Sequence, residues 1–158
     1  MNLLRDLEGQ LLKRSEVAEF AVSDDERSIE FPFSSEYPVA RYFGNEVLQH
    51  DERSVDLARL NDSAPLLFNH DPGKVIGVVE RAWIDKGSKR GFARVKFSRN
   101  AFAQEVLADV KDGVMRNVSV GYMINDMEQR GEDYVATSWS RSEEHTSELQ
   151  SPYVISYA

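Results

Sequence analysis

Residues 91–124 read GFARVKFSRNAFAQEVLADVKDGVMRNVSVGYMI, and two changes of hydrophobic period inside this stretch set the fold class. In 91–97, Ala93, Val95 and Phe97 share one face while Arg94 and Lys96 take the other, the two-residue period of a strand. The period then lengthens. Ser98 or Asn100 is placed to cap a helix, Phe102, Val106 and Val110 recur at i, i+4 and i+8 with Leu107 beside them, and Gly113 is the stop signal. From 114 to 124 the pattern is again that of a strand.

Working outward, the flanks read as more strands. Residues 75–84 are rich in β-branched side chains, and 85–88 (Asp-Lys-Gly-Ser) form a hairpin-type connection into 91–97. Leu66 to Phe68 is a short apolar run that ends at Asn69-His70-Asp71-Pro72-Gly73, where Pro and Gly mark a tight turn. Strands are expected at 28–33 and 39–43, with Pro32 and Pro38 indicating edges or bends. Residues 50–52 (His-Asp-Glu) read as a polar loop with His50 at the surface, and 54–60 fit neither period. A polar loop over 125–132 leads to a strand at 133–139. Leu4, Leu7 and Leu11 sit at helical spacing, so 2–19 is expected to be an amphipathic helix or a docked arm, followed by a turn or linker at 23–27. The expected fold is therefore α+β: strands around one central helix, in a barrel or a strongly curved sheet. The divisions are an N-terminal helix or arm (1–22) and one domain (23–140).

Composition narrows the function classes. The chain of 158 residues is 41% hydrophobic and 10% aromatic, which suits one domain with a real core. It contains no cysteine, so disulfides and thiolate chemistry are excluded. A net charge of −8 without a long Lys/Arg cluster argues against binding nucleic acid by phosphate neutralisation. No apolar run is long enough to span a bilayer, and the acid-containing N-terminus does not read as a signal peptide. Only His50 and His70 precede the C-terminal tail, with no close ligand spacing, so no metal site is expected.

The tail itself is unlike the rest. Residues 141–151, RSEEHTSELQS, resemble the in-frame translation of a common short-read sequencing adapter. Pro152-Tyr153-Val154 fall where the variable index would lie, and Ile155-Ser156-Tyr157-Ala158 match the constant bases after it. Residues 141–158 are accordingly read as an adapter artefact and set aside from the fold, as an expression scar would be. The net charge stays negative without them.

Two residues stand out as carriers of chemistry. On a strand, Val118, Val120 and Tyr122 share one face; Asn117, Ser119 and Gly121 share the other. A hydroxyl beside a glycine leaves room for a substrate backbone, as a nucleophilic serine requires. A strand with a small solvent-facing serine meets the same pattern and is the commoner case. His70, at the Pro/Gly turn, has the residue type for a general base. A surface turn histidine bonded to Asp71 meets the same pattern and is, on local evidence, the commoner case.

The segments LLFNHDP (66–72) and VSVGY (118–122), with a capped helix ending in Asp112-Gly113 between them, resemble the tailed-phage prohead serine proteases. The resemblance covers roughly 29–140. It implies a fold akin to the herpesvirus assemblins, here cut short at its C-terminus, and a serine endopeptidase that cleaves capsid proteins during head maturation. His70 falls in the family's N-H-D-P-like motif and Ser119 in its S-[IV]-G-[FY]-like motif, which implies the roles of base and nucleophile. The family continues with a strand of the form W-x-x-x-E-[IV]-S, whose acid orients the histidine. Trp139 matches the tryptophan; Glu143 stands at the acid's position but within the tail, so it is read as a coincidental substitute and the third member as missing. Oxyanion donors are not identified: a backbone N–H near Ser119 or the Arg116 region is one option, with the Arg116 side chain itself read as solvated.

The resemblance further implies the major capsid protein precursor and the scaffold protein as substrates, self-cleavage as an option, no cofactor, no nucleic-acid or membrane partner, and a location inside the assembling prohead in the host bacterial cytoplasm. Truncation after Trp139 is expected to leave an unpaired sheet edge and a poorly soluble, proteolytically inactive chain. Alternatives are a non-catalytic capsid-assembly or scaffold module, the front of a protease–capsid fusion polyprotein, and a small host β-barrel binding module.

Overall fold

The computed structural model describes residues 3–7, 10–17, 19–22, 25, 27–141 and 154–157. In chain order the elements are α1 (Leu3–Leu7), β1 (Leu12–Val17), β2 (Ala21–Val22), β3 (Ser28–Ser35), β4 (Val39–Arg41), β5 (Gly44–Leu48) and β6 (Val55–Asp56). They continue as β7 (Pro65–Phe68), β8 (Asp71–Asp85), β9 (Arg90–Phe97), α2 (Ala101–Lys111), β10 (Asn117–Arg130), β11 (Asp133–Arg141) and β12 (Val154–Tyr157). The strands form one sheet in the order β2-β3-β9-β8-β7-β12-β10-β11-β5-β4, with β1 also on β10 and β6 also on β11. The sheet curls into a half-barrel. The strand-rich α+β expectation is met at this level.

The core lies inside the curl. Phe31, Phe33, Leu66, Ile76, Val95, Phe97, Tyr122 and Trp139 are each at most 1% exposed, and each such side chain contributes about 1.5–3 kcal/mol on burial. Along β9 the burial alternates strictly, with Gly91, Ala93, Val95 and Phe97 inward, as its sequence requires. Asn100 caps α2: its side-chain oxygen accepts from the backbone N–H of Ala103, filling one of the unsatisfied first-turn donors. Gly113, at φ 75°, closes the helix in the left-handed region, which a side chain would resist. Pro32 lies at a register shift between β3 and β9, consistent with its missing N–H.

Gly77 of β8 pairs with Phe97 of β9. A Cβ there would lie 2.5 Å from the Lys96 carbonyl oxygen and 3.1 Å from the Phe97 Cα. Both are backbone atoms and cannot step aside. Gly77→Ala is expected to destabilise the fold by about 1–3 kcal/mol. The check is a urea unfolding midpoint, and a midpoint equal to that of the native chain would show that the strands separate freely.

Several expectations need correction. The N-terminal arm is helical only over α1, while 12–17 form a strand in the sheet. Helical leucine spacing lost there because pairing with β10 satisfies the backbone and buries Arg14. The loop expected at 125–132 is strand as far as Arg130, so polar residues there reflect an exposed hairpin arm closed at Gly131 and Glu132. Phe102 is 38% exposed; the buried face of α2 is Ala103, Val106, Leu107 and Val110. Finally, the edge expected to be left bare after Trp139 is occupied. β12, from the segment set aside as adapter, pairs parallel to β10 and antiparallel to β7. Backbone hydrogen bonding needs no particular side chains, so any extended segment meets that requirement.

Candidate active site

β7 and β8 form a hairpin in which Phe68 pairs with Asp71, leaving Asn69 and His70 as the two central turn residues. Both have positive φ, 52° and 56°, as a type I′ turn demands. Asn and His are among the residues that tolerate this region best. The turn therefore centres three residues earlier than the Pro/Gly pair suggests; Pro72 and Gly73 lie instead at the irregular start of β8, where the Asp71 carboxylate accepts from the Gly73 N–H at 2.8 Å.

This geometry carries His70 to Ser119 on β10. His70 Nε2 lies 2.9 Å from Ser119 Oγ, and both residues are buried. The solvent-facing serine and the surface histidine are thereby replaced by one closed pair. The Leu11 side chain borders the same strip, 3.1 Å from where a Cβ of Gly121 would stand. With its proton on Nδ1, the imidazole accepts the Ser119 hydroxyl through Nε2, the arrangement of a general base on a nucleophile.

Burial, and secondarily the Lys13 cation, push the His70 pKa down from its ordinary 6.5 to about 4. The ring is thus neutral and able to take a proton at neutral pH. Between pH of about 4 and 6.5 the unfolded chain binds more protons at this residue than the folded one, so its contribution to stability is complete above about 6.5 and is lost as pH falls toward 4. Urea midpoints are expected to drop between pH 7 and pH 4.5, less so in His70→Ala; an equal drop in both would assign the effect to other groups.

On the opposite face of β10, three residues after Ser119, Tyr122 enters a buried cluster that pattern reading missed. Its hydroxyl donates to Glu46, in a short contact, and burial raises its pKa to about 12. Glu46 Oε2 also meets Arg14 Nη2 at 2.7 Å, and Arg14 Nη1 donates to the Tyr37 carbonyl at 3.0 Å. Arg41 Nη2 donates to Tyr122 Oη at 3.1 Å and to the Lys13 carbonyl at 2.9 Å. The cluster ties β1, β4, β5 and β10 together behind the serine. Its only local signal is charged residues at inward strand positions.

His50 is not at the surface. It is 4% exposed, with Nε2 2.7 Å from Ser34 Oγ and Nδ1 2.7 Å from the Leu48 carbonyl, against the edge of Trp139. Burial lowers its pKa also. A cleft of about 420 Å³ adjoins it, lined in part by Glu36, Gln49, Lys86, Lys89 and Arg130, and includes neither His70 nor Ser119. Arg116 is exposed and bonds the Gly113 carbonyl. Glu143 lies outside the described residues. Among the described residues no cluster of acids and histidines could hold a metal, and no helix is long and apolar enough to cross a membrane.

A serine hydroxyl bonded to a neutral imidazole on the next hairpin is the arrangement of serine hydrolases. Residues 33–145 match the family model of the caudovirus prohead serine proteases, and the chain belongs to that family. Over 97 residues, 60% of the chain, it is 47% identical to the protein named major capsid protein of Halomonas phage phiHAP-1. The aligned part is only 16% of that relative's length. No solved structure matches.

Proposed function

We propose that the chain is the protease part of a phage head-maturation enzyme, a serine endopeptidase with an assemblin-like fold. Ser119 is its nucleophile and His70 its general base. The observation that carries this reading is the 2.9 Å His70–Ser119 contact, formed by the two residues of the family-like motifs. The Ser119 oxygen attacks the scissile carbonyl as its proton passes to His70 Nε2. The same proton then leaves with the amine, and water repeats the cycle on the acyl-enzyme. Substrates of this reading are capsid-related proteins, the capsid precursor and scaffold, cut in the host cell during head assembly. Because Ser119 is covered, a substrate carbonyl reaches it only after a covering segment moves.

The likeness to a much longer relative named major capsid protein favours a second element of the reading: protease and capsid protein as parts of one polyprotein. The source gene, sequenced with long reads through the codon for Ser140, tests this together with the origin of the tail. A frame running on into a glutamate-bearing apolar strand and then a capsid domain supports both the fusion and the adapter reading. Reads that return RSEEHTSELQS make the tail genuine and Glu143 a candidate third member. For the activity itself, the full gene product is incubated with a fluorophosphonate probe and with capsid precursor. Probe mass on the peptide containing Ser119 and cleavage of the precursor are expected; neither appearing would refute the protease reading.

A further inference from the structure

The wall of the site formed by β1 carries a cation that no motif contains. β1 runs antiparallel to β10 with Lys13 opposite Gly121 and Ser15 opposite Ser119. Directly opposed residues of an antiparallel pair face the same side. Arg14 goes to the core side, where it meets Glu46 and Tyr122, so Lys13 and Ser15 face the side of Ser119 and Gly121. Leu11, two residues before Lys13, confirms this by lying against the Gly121 position. Lys13 is then the diagonal neighbour of Ser119, at roughly 7–8 Å, a span that long side chains bridge.

Four features mark it as more than a surface lysine. It is half-buried, and among the described residues its ammonium has no ion pair or hydrogen bond, although the chain is acidic. Its backbone is held, since the Lys13 carbonyl accepts from Arg41 Nη2 at 2.9 Å. The residue between it and the serine is Gly121, which puts no side chain in the way. Its charge is also felt at His70.

We propose that Lys13 is a catalytic residue of this site: its ammonium stabilises the oxyanion that forms when Ser119 attacks a substrate carbonyl. The inference rests on the serine-hydrolase reading. As the Oγ–C bond forms, the carbonyl π pair moves onto oxygen and the serine proton moves to His70. The resulting negative oxygen is met by the positive charge that β1 places on the same face as Ser119. On collapse the C=O bond re-forms, the C–N bond breaks and His70 returns the proton to the leaving amine. Lys13 keeps its own protons throughout.

Lys13→Met keeps most of the stem and removes the charge; Lys13→Arg restores it. In the full gene product, the rate of Ser119 phosphonylation by a fluorophosphonate, which builds the same kind of negative oxygen, is expected to fall about 100–1,000-fold in Lys13→Met. Lys13→Arg should recover much of that loss. A role in packing alone would not move the imidazole titration of His70, followed by NMR, upward in Lys13→Met; the proposal requires that it move. If the native protein is labelled and Lys13→Met is labelled at the same rate, or the His70 midpoint stays put, the role of Lys13 is wrong and the hydrolase reading stands. If the native protein is not labelled at Ser119, both fall together.

Discussion

Ser119→Ala is expected to lower turnover by about 10⁶-fold and to abolish fluorophosphonate labelling, the scale seen when the nucleophile of a serine protease is removed. Folding should hardly notice, since one buried hydrogen bond to His70 is worth about 1 kcal/mol. The informative control is Ser34→Ala. Ser34 Oγ lies 2.7 Å from His50 Nε2, closer than the His70–Ser119 contact, and both of its residues are buried. Pair geometry alone therefore does not choose between the two serines. The family-like motifs do: they contain His70 and Ser119 and neither His50 nor Ser34, and His50 is wedged against the edge of Trp139. Ser34→Ala is expected to keep labelling at Ser119 and to lose stability instead. Labelling that follows Ser34 would overturn the assignment.

Glu46→Ala should be the most damaging single change to the fold, at about 3–5 kcal/mol. Glu46 is fully buried and carries the Arg14 guanidinium, whose side chain is 3% exposed. Removing the carboxylate strands that cation without water and frees the Tyr122 hydroxyl. Against a total stability of about 5–15 kcal/mol, this brings the domain near unfolding. The double variant Arg14→Met with Glu46→Leu should recover part of the loss, because a buried ion pair is often replaceable by apolar side chains of similar volume. Urea denaturation of the three proteins at pH 7 decides it. A Glu46→Ala midpoint within 0.5 kcal/mol of the native chain, on the order of an ordinary surface change, would mean that water reaches the cluster.

The strands around α2 and the helix itself were legible because their signals are short-range. Alternation in 91–97, the Asn100 cap and the Gly113 stop each act within a few residues. Where signals were shared by two outcomes, the sequence misled. Leu4, Leu7 and Leu11 suit a helix, but β10 offered residues 12–17 a strand partner more than a hundred residues away. A polar run at 125–130 suits a loop, yet an exposed hairpin arm is equally polar. Phe102 suits the buried face of α2 by spacing, but it stacks edge-on against Phe68 at the surface.

By itself the sequence singled out His70 and Ser119 as the candidates for the proposed chemistry, and the local elements that carry them, since motif and period are properties of neighbouring residues. Tertiary structure decided the rest. It brought the two within hydrogen-bond distance across the sheet and placed His70 in a left-handed turn. It also buried His50 and Glu46, which composition assigns to water, and set Lys13 on the face of the serine. The physical reason is that these outcomes depend on strand register and desolvation, which arise only when segments distant in the chain pair and exclude water.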